Sequence, residues 1–308
     1  MSTQSNALPE SAFQSQVAAP ADIPPLRLMY WSVRRELWEN RFLYVAPVAV
    51  ASVYLFAFFI STIVGIWEQP LRIDPLRQPG GIAEPYGFAA GLIMATAFIV
   101  GIFYSLDALH GERRDRSILF WKSLPVSDLM VVLSKASIPI VILPLFTFAL
   151  TIATQLIMVL HTTLVMPASG LNVTALWQHL PLFQMWLMLF YHLVTVHALW
   201  HAPIYAWLLL VSGWARRVPF LWASLPPLAI GVLEWVAFRT SHFAAFVGYR
   251  LAGPESYDFT PRHGISMEAM NHLNLGRFLI TPGLWGGLLV AALFLVAAAR
   301  LRRDRGPI

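Results

Sequence analysis

The chain has 308 residues, of which 57% are hydrophobic and only 12% charged, with a net charge of +5. A soluble domain carries about 25% charged residues, so too few are present here to coat a water-facing surface, and lipid is the solvent the composition points to. The absence of cysteine excludes disulfides, thiolate zinc sites, iron–sulfur clusters and a cysteine nucleophile.

Met1 to Ile23 is polar and lacks the basic start and apolar core of a signal peptide, so it reads as a disordered cytoplasmic tail. From Pro25 to Phe42, Leu26, Met29, Tyr30, Val33 and Leu37 recur at helical spacing, with Arg34, Arg35, Glu36 and Glu39 between them. This pattern predicts an amphipathic helix over 24–42 in the interface plane, with Trp31 and Trp38 at headgroup depth. Six apolar stretches follow that reach the roughly 20 residues needed to cross hydrocarbon. They run from Tyr44 to Trp67, Gly87 to Leu109, Leu129 to Leu160, Phe183 to Val211, Phe220 to Phe238 and Pro282 to Ala299. Pro139, Pro144 and the Pro226-Pro227 pair lie inside spans and predict kinks. The expected fold is an all-α membrane domain over 43–308.

Basic residues set the orientation. Arg27, Arg34, Arg35 and Arg41 precede the first span. Arg113, Arg114, Arg116 and Lys122 follow the second, Arg216 and Arg217 the fourth, and Arg300, Arg302, Arg303 and Arg305 the sixth. Six spans put all these clusters on one side, which the positive-inside rule makes cytoplasmic, with both termini there. The excess of arginine belongs to that membrane face rather than to nucleic acid. The last outer segment, 239–281, is too polar to span and longer than most loops.

The loop after the second span, 110–128, carries the most information. Acids and bases alternate through Glu112, Arg113, Arg114, Asp115 and Arg116. A short apolar stretch from Ile118 to Trp121 follows, then Lys122 and the helix-ending Pro125, with Ser127 or Asp128 placed to cap the next span. Physically this is a short amphipathic helix at the cytoplasmic surface, or simply a connecting loop whose charges obey the positive-inside rule. The string from Glu112 to Ser127, with Arg-Ser-Ile-Leu-Phe-Trp-Lys-Ser-Leu-Pro at its centre, resembles the first cytoplasmic loop of ABC-2 type transporter permeases, and the six-span layout agrees.

That resemblance implies a coupling helix docking on a separate ATPase subunit through Glu112, Arg113, Arg114, Asp115, Arg116, Phe120, Trp121 and Lys122. It also implies an interface helix, with Tyr30, Arg34, Arg35 and Glu36, that helps to hold the ATPase; a membrane anchor is the plainer reading of that helix. A second copy of the chain or a paralogue would complete the path, in a bacterial inner membrane. No G-x-x-x-x-G-K-[ST] precedes either lysine, so the chain is not expected to hydrolyse ATP. It needs no cofactor of its own, and ATP and Mg would belong to the partner.

Span four holds His192, His197 and His201. His197 and His201 share a helix face, the spacing for a metal, but more often such residues line a wet cavity or bond across helices. Glu234 in span five is the one acid well inside an apolar run, and Arg239 is a candidate partner. His192, His197 and Glu234 are the candidate lining residues of a translocation path. Gly283 and Gly287 form G-x-x-x-G at the start of span six, which permits close helix contact. Two other functions remain open from sequence: a membrane enzyme using the span-four histidines, and a membrane anchor for a cytoplasmic partner that moves nothing.

Overall fold

The computed structural model describes residues 24–68, 83–122, 126–169, 173–253 and 275–306. The expected tail over 1–23, Pro125 and the middle of the outer segment lie outside them. Among the described residues every regular element is a helix. Six helices among these residues are long and apolar enough to cross a membrane: Phe42–Val64, Glu84–Arg114, Asp128–Val165, Leu182–Trp200, Pro219–Phe238 and Pro282–Asp304. A helix is the element that satisfies every backbone group internally where no water is present.

Boundaries differ from the sequence reading in three instructive places. The N-terminal helix Pro25–Glu39 stops before Phe42, because Asn40 turns the chain and returns both its backbone N–H and its side-chain amide to the Glu36 carbonyl. Span two does not end at Leu109. No strong breaker intervenes, so the helix continues as Glu84–Arg114 and takes the first part of the expected loop with it. The chain then turns at Arg116, whose φ of 59° is left-handed, and enters the short helix Ser117–Lys122. Ser127 caps span three as expected, its hydroxyl accepting from the Met130 N–H at 3.2 Å.

Spans three and four each contain a π-helical stretch, Ile138–Ile142 and Leu193–Trp200, and the two stretches pack on each other. Pro139 lacks the N–H an α-turn would use, and the widened turn absorbs that loss without breaking the span. The single fourth span of the sequence reading is realised in two pieces. Leu182–Trp200 ends at a bend on His201, and Ala202–Trp214 restarts with Pro203 in its first turn, where a missing N–H is harmless.

Span two is the centre of the bundle, packed against spans one and three and against Ala202–Trp214; span six lies along Ala202–Trp214. Lipid is as apolar as leucine, so close packing and polar links hold such helices together, not hydrophobic burial. Small residues mark close approaches. A Cβ on Gly101 would meet the Tyr205 ring at 3.2 Å, and one on Gly283 would meet the Trp200 ring at 3.4 Å. Span five is peripheral, with Ala223 its only buried residue and the rest of its apolar surface turned outward.

Candidate functional site

The polar centre of the molecule lies at the end of the bundle where the arginine clusters meet. The N-terminal helix presses Val33 and Leu37 against an apolar cluster built around Leu43, Tyr104 and Leu143. That contact carries Glu36, on the same face, into the interior, where it is 2% exposed. Tyr104 of span two donates its hydroxyl to Glu36 Oε2 at 2.8 Å, and Lys135 of span three places Nζ 2.8 Å from Glu36 Oε1. Lys135 Nζ also stands 3.1 Å from Glu112 Oε1, at the end of span two. Arg302 of span six reaches Glu112 Oε2 at 3.4 Å and forms a second ion pair with Asp128, the first residue of span three. Arg35 completes the set, 3.6 Å from Glu112 and 2.8 Å from Glu39. Buried charges persist only where an opposite charge or several hydrogen-bonding groups meet them, since an isolated one in this environment would be neutralised or excluded. Here each has a partner from another helix. The network ties the N-terminal helix to the adjoining ends of spans two, three and six.

A second group of bonds closes the same end. Arg113 donates from Nη1 to the Gly213 carbonyl at 2.8 Å and from Nε to the Gly306 carbonyl at 3.2 Å. Arg305 donates to the Trp214 carbonyl at 2.8 Å. Lys122 donates to the carbonyls of Arg303 and Arg305. These cations sit on the exposed carbonyls at the C-terminal ends of Ala202–Trp214 and span six, where the helix dipole favours positive charge.

The residues expected to contact a partner therefore separate into two groups. Glu112 and Arg113 are turned inward, 7% and 5% exposed, and serve the internal network. Arg114, Asp115, Arg116 and Lys122 are exposed. Trp121 lies beneath the Arg35 guanidinium, whose carbon is 3.1 Å from the ring centre. Phe120 belongs to the short helix, but its side chain falls outside the described part of the structure. On the N-terminal helix Tyr30 is exposed, and Arg34 lies over Trp31 and Trp38 at 5.1 and 5.8 Å. Between this helix and span three a cleft of about 250 Å³ opens, walled by Trp31, Arg35, Trp121 and Val131.

The other candidates go elsewhere. His197 and His201 are 2% and 7% exposed, in the bundle interior around Phe98. Nε2 of His197 pairs with the Tyr205 hydroxyl at 3.3 Å, and Nε2 of His201 with the Leu251 carbonyl at 3.0 Å. Among the described residues no group of three or more His, Asp and Glu could hold a metal. His192 is the last α-helical residue before the π-helical stretch of span four. His161 lies in the last turns of span three and stacks on Phe59 at 4.2 Å. Glu234 lies near the outer-segment end of span five. Its carboxylate accepts the N–H groups of His242 and Phe243 and the Thr240 hydroxyl, each at 2.8 Å, and so caps the helix His242–Ala252. Arg239 lies over Trp235 instead.

Lys135, Tyr104, Asp128 and Arg302 were not singled out as site residues from the sequence. The signal for Lys135 was available: it is a cation inside an apolar stretch, and such a residue requires a partner. A row of buried polar residues on span three, Thr147, Thr151, Thr154 and Gln155, was also missed. Gln155 links the Tyr86 carbonyl to the Trp186 indole. The hydroxyls of Thr147 and Thr151 make no hydrogen bond among the described residues.

No family model matches the chain, no curated protein matches it, and no solved structure matches it.

Proposed function

We propose that this chain is the membrane subunit of an ABC-2 type transporter, working as an exporter with a separate ATPase that binds ATP and Mg. The observation that supports this reading most is the short helix Ser117–Lys122, which bears the sequence resembling that family's coupling segment. It lies against the interface helix through Arg35 and Trp121, and against the end of span six through Lys122. Force applied there would be carried by the buried ion pairs into spans two, three and six together. The positive-inside rule assigns this end to the cytoplasm, where an ATPase would be found. In this reading Arg114, Asp115 and Arg116 meet the partner, and Glu112 and Arg113 hold the lever to the bundle. The path would form with a second copy or a paralogue.

The test is co-purification with an ATPase encoded beside this chain. Reversal of the two exposed charges, Arg114→Glu with Arg116→Glu, should weaken the association or uncouple hydrolysis from substrate. If both association and coupling persist, the proposal fails. Arg113→Glu is the wrong probe, because it would strip a helix end of its internal cap.

A further inference from the structure

Beside the sealed end of Ala202–Trp214 the structure holds a pocket of about 310 Å³, lined by Trp214, Ala215, Arg216, Trp222 and Arg305. Its charge is one-sided. Arg113 and Arg305 both reach the last carbonyls of Ala202–Trp214, and Arg216 and Arg217 follow directly in the chain. Among the described residues none of these four guanidiniums lies within 4.0 Å of a carboxylate. Asp304 is exposed and makes no ion pair among them. A helix C-terminus supplies only about half a negative charge, so several positive charges remain uncompensated. The nearby carboxylate of Glu112 is engaged by Lys135 and Arg302.

The pocket's other wall is aromatic and faces outward. Trp214 and Trp222 meet edge to face at 4.9 Å and are 40% and 45% exposed. Past them Phe220, Leu221 and Leu225 of span five present apolar surface to the bilayer. Amphipathic rings beside guanidiniums at a span terminus match the boundary between headgroups and acyl chains.

We propose that this pocket binds the phosphate of an anionic membrane lipid, Arg216 and Arg305 holding the phosphate and the acyl chains lying along span five. The inference needs only the membrane placement and is independent of the transporter reading. The full chain, purified in detergent, is mixed with phosphatidylglycerol or phosphatidylcholine, and retained lipid is read by native mass spectrometry. The wild type should retain phosphatidylglycerol preferentially. Arg216→Gln should reduce that preference about fivefold, the effect of one guanidinium on an anionic lipid. The side chain of Arg216 makes no hydrogen bond among the described residues, so this variant removes no internal link. Arg217→Gln, next in the chain but outside the pocket lining, should reduce the preference by less than Arg216→Gln does, and inorganic phosphate in excess should not displace the lipid. Equal retention of the two lipids, an unaltered preference in Arg216→Gln, or displacement by inorganic phosphate would each overturn the proposal, the last by showing a site for a free anion.

Discussion

Replacing Lys135 by methionine keeps most of the side-chain volume and removes the charge from the centre of the buried network. Lys135 is 2% exposed and sits 2.8 Å from Glu36 and 3.1 Å from Glu112. At an effective dielectric of about 20 each pair is attractive by roughly 5–6 kcal/mol, most of it offset by the desolvation of the three groups. Removal of the shared cation leaves two buried carboxylates without it, and the net loss for breaking such a set is about 3–5 kcal/mol. For a chain of this size that corresponds to a fall in melting temperature of roughly 6–10 °C, measurable in detergent by the loss of the monodisperse peak on heating. Glu36→Gln combined with Lys135→Met removes one carboxylate together with the cation. Tyr104 can still donate to the amide oxygen, and Glu112 keeps Arg302. The double variant should therefore melt above the single one, a non-additivity of about 1–3 kcal/mol. If Lys135→Met melts with the wild type, or the double variant is the less stable of the two, the charges are not coupled as described.

Two further perturbations test the packing at the other end of the bundle. A Cβ on Gly287 would lie 2.7 Å from Cζ of Arg250, whose guanidinium rests on Trp200 and donates to the Gly283 carbonyl. Gly287→Ala should therefore cost about 1–3 kcal/mol, while Gly286→Ala, with nothing within 4 Å of the added carbon, should stay within about 0.5 kcal/mol of wild type; equal melting of the two would refute the close approach. Glu234→Ala removes the cap of His242–Ala252 and should accelerate amide hydrogen exchange there without lowering the melting temperature of the bundle. Unchanged exchange across 242–252 would show that the carboxylate does not hold that helix.

The spans were legible because their signal is a sum over many residues. Each is a long apolar stretch with few charges, and a boundary error of a few positions does not alter it. The G-x-x-x-G at Gly283 and Gly287 was also legible as a point of close contact. Its partners were not, since Trp200 and Arg250 are distant in the chain. The buried network was hidden for the same reason. Glu36 reads as one more acid on the polar side of an amphipathic helix, and nothing local indicates that Lys135 lies against it. Arg113 and Glu112 looked like surface charges because alternating acids and bases usually are solvated. Their burial follows from the continuation of span two past Leu109, which carries them under the ends of its neighbours. Glu234 was recognised as exceptional, but its task depended on the turn at Arg239, whose φ of 53° brings the next helix back over the carboxylate.

The place of Arg302 in span six has a consequence for biosynthesis. Glu112, at the end of span two, is made before spans three to six and waits for one of its cationic partners until span six has been synthesised. A nascent chain that has delivered five helices to the bilayer still carries an under-neutralised acid at its centre. Span six therefore does more than add a sixth cylinder: it completes the charge balance around Glu112 and Asp128, at the ends of spans two and three. A product cut short before span six would leave Glu112 to Lys135 and Arg35 alone.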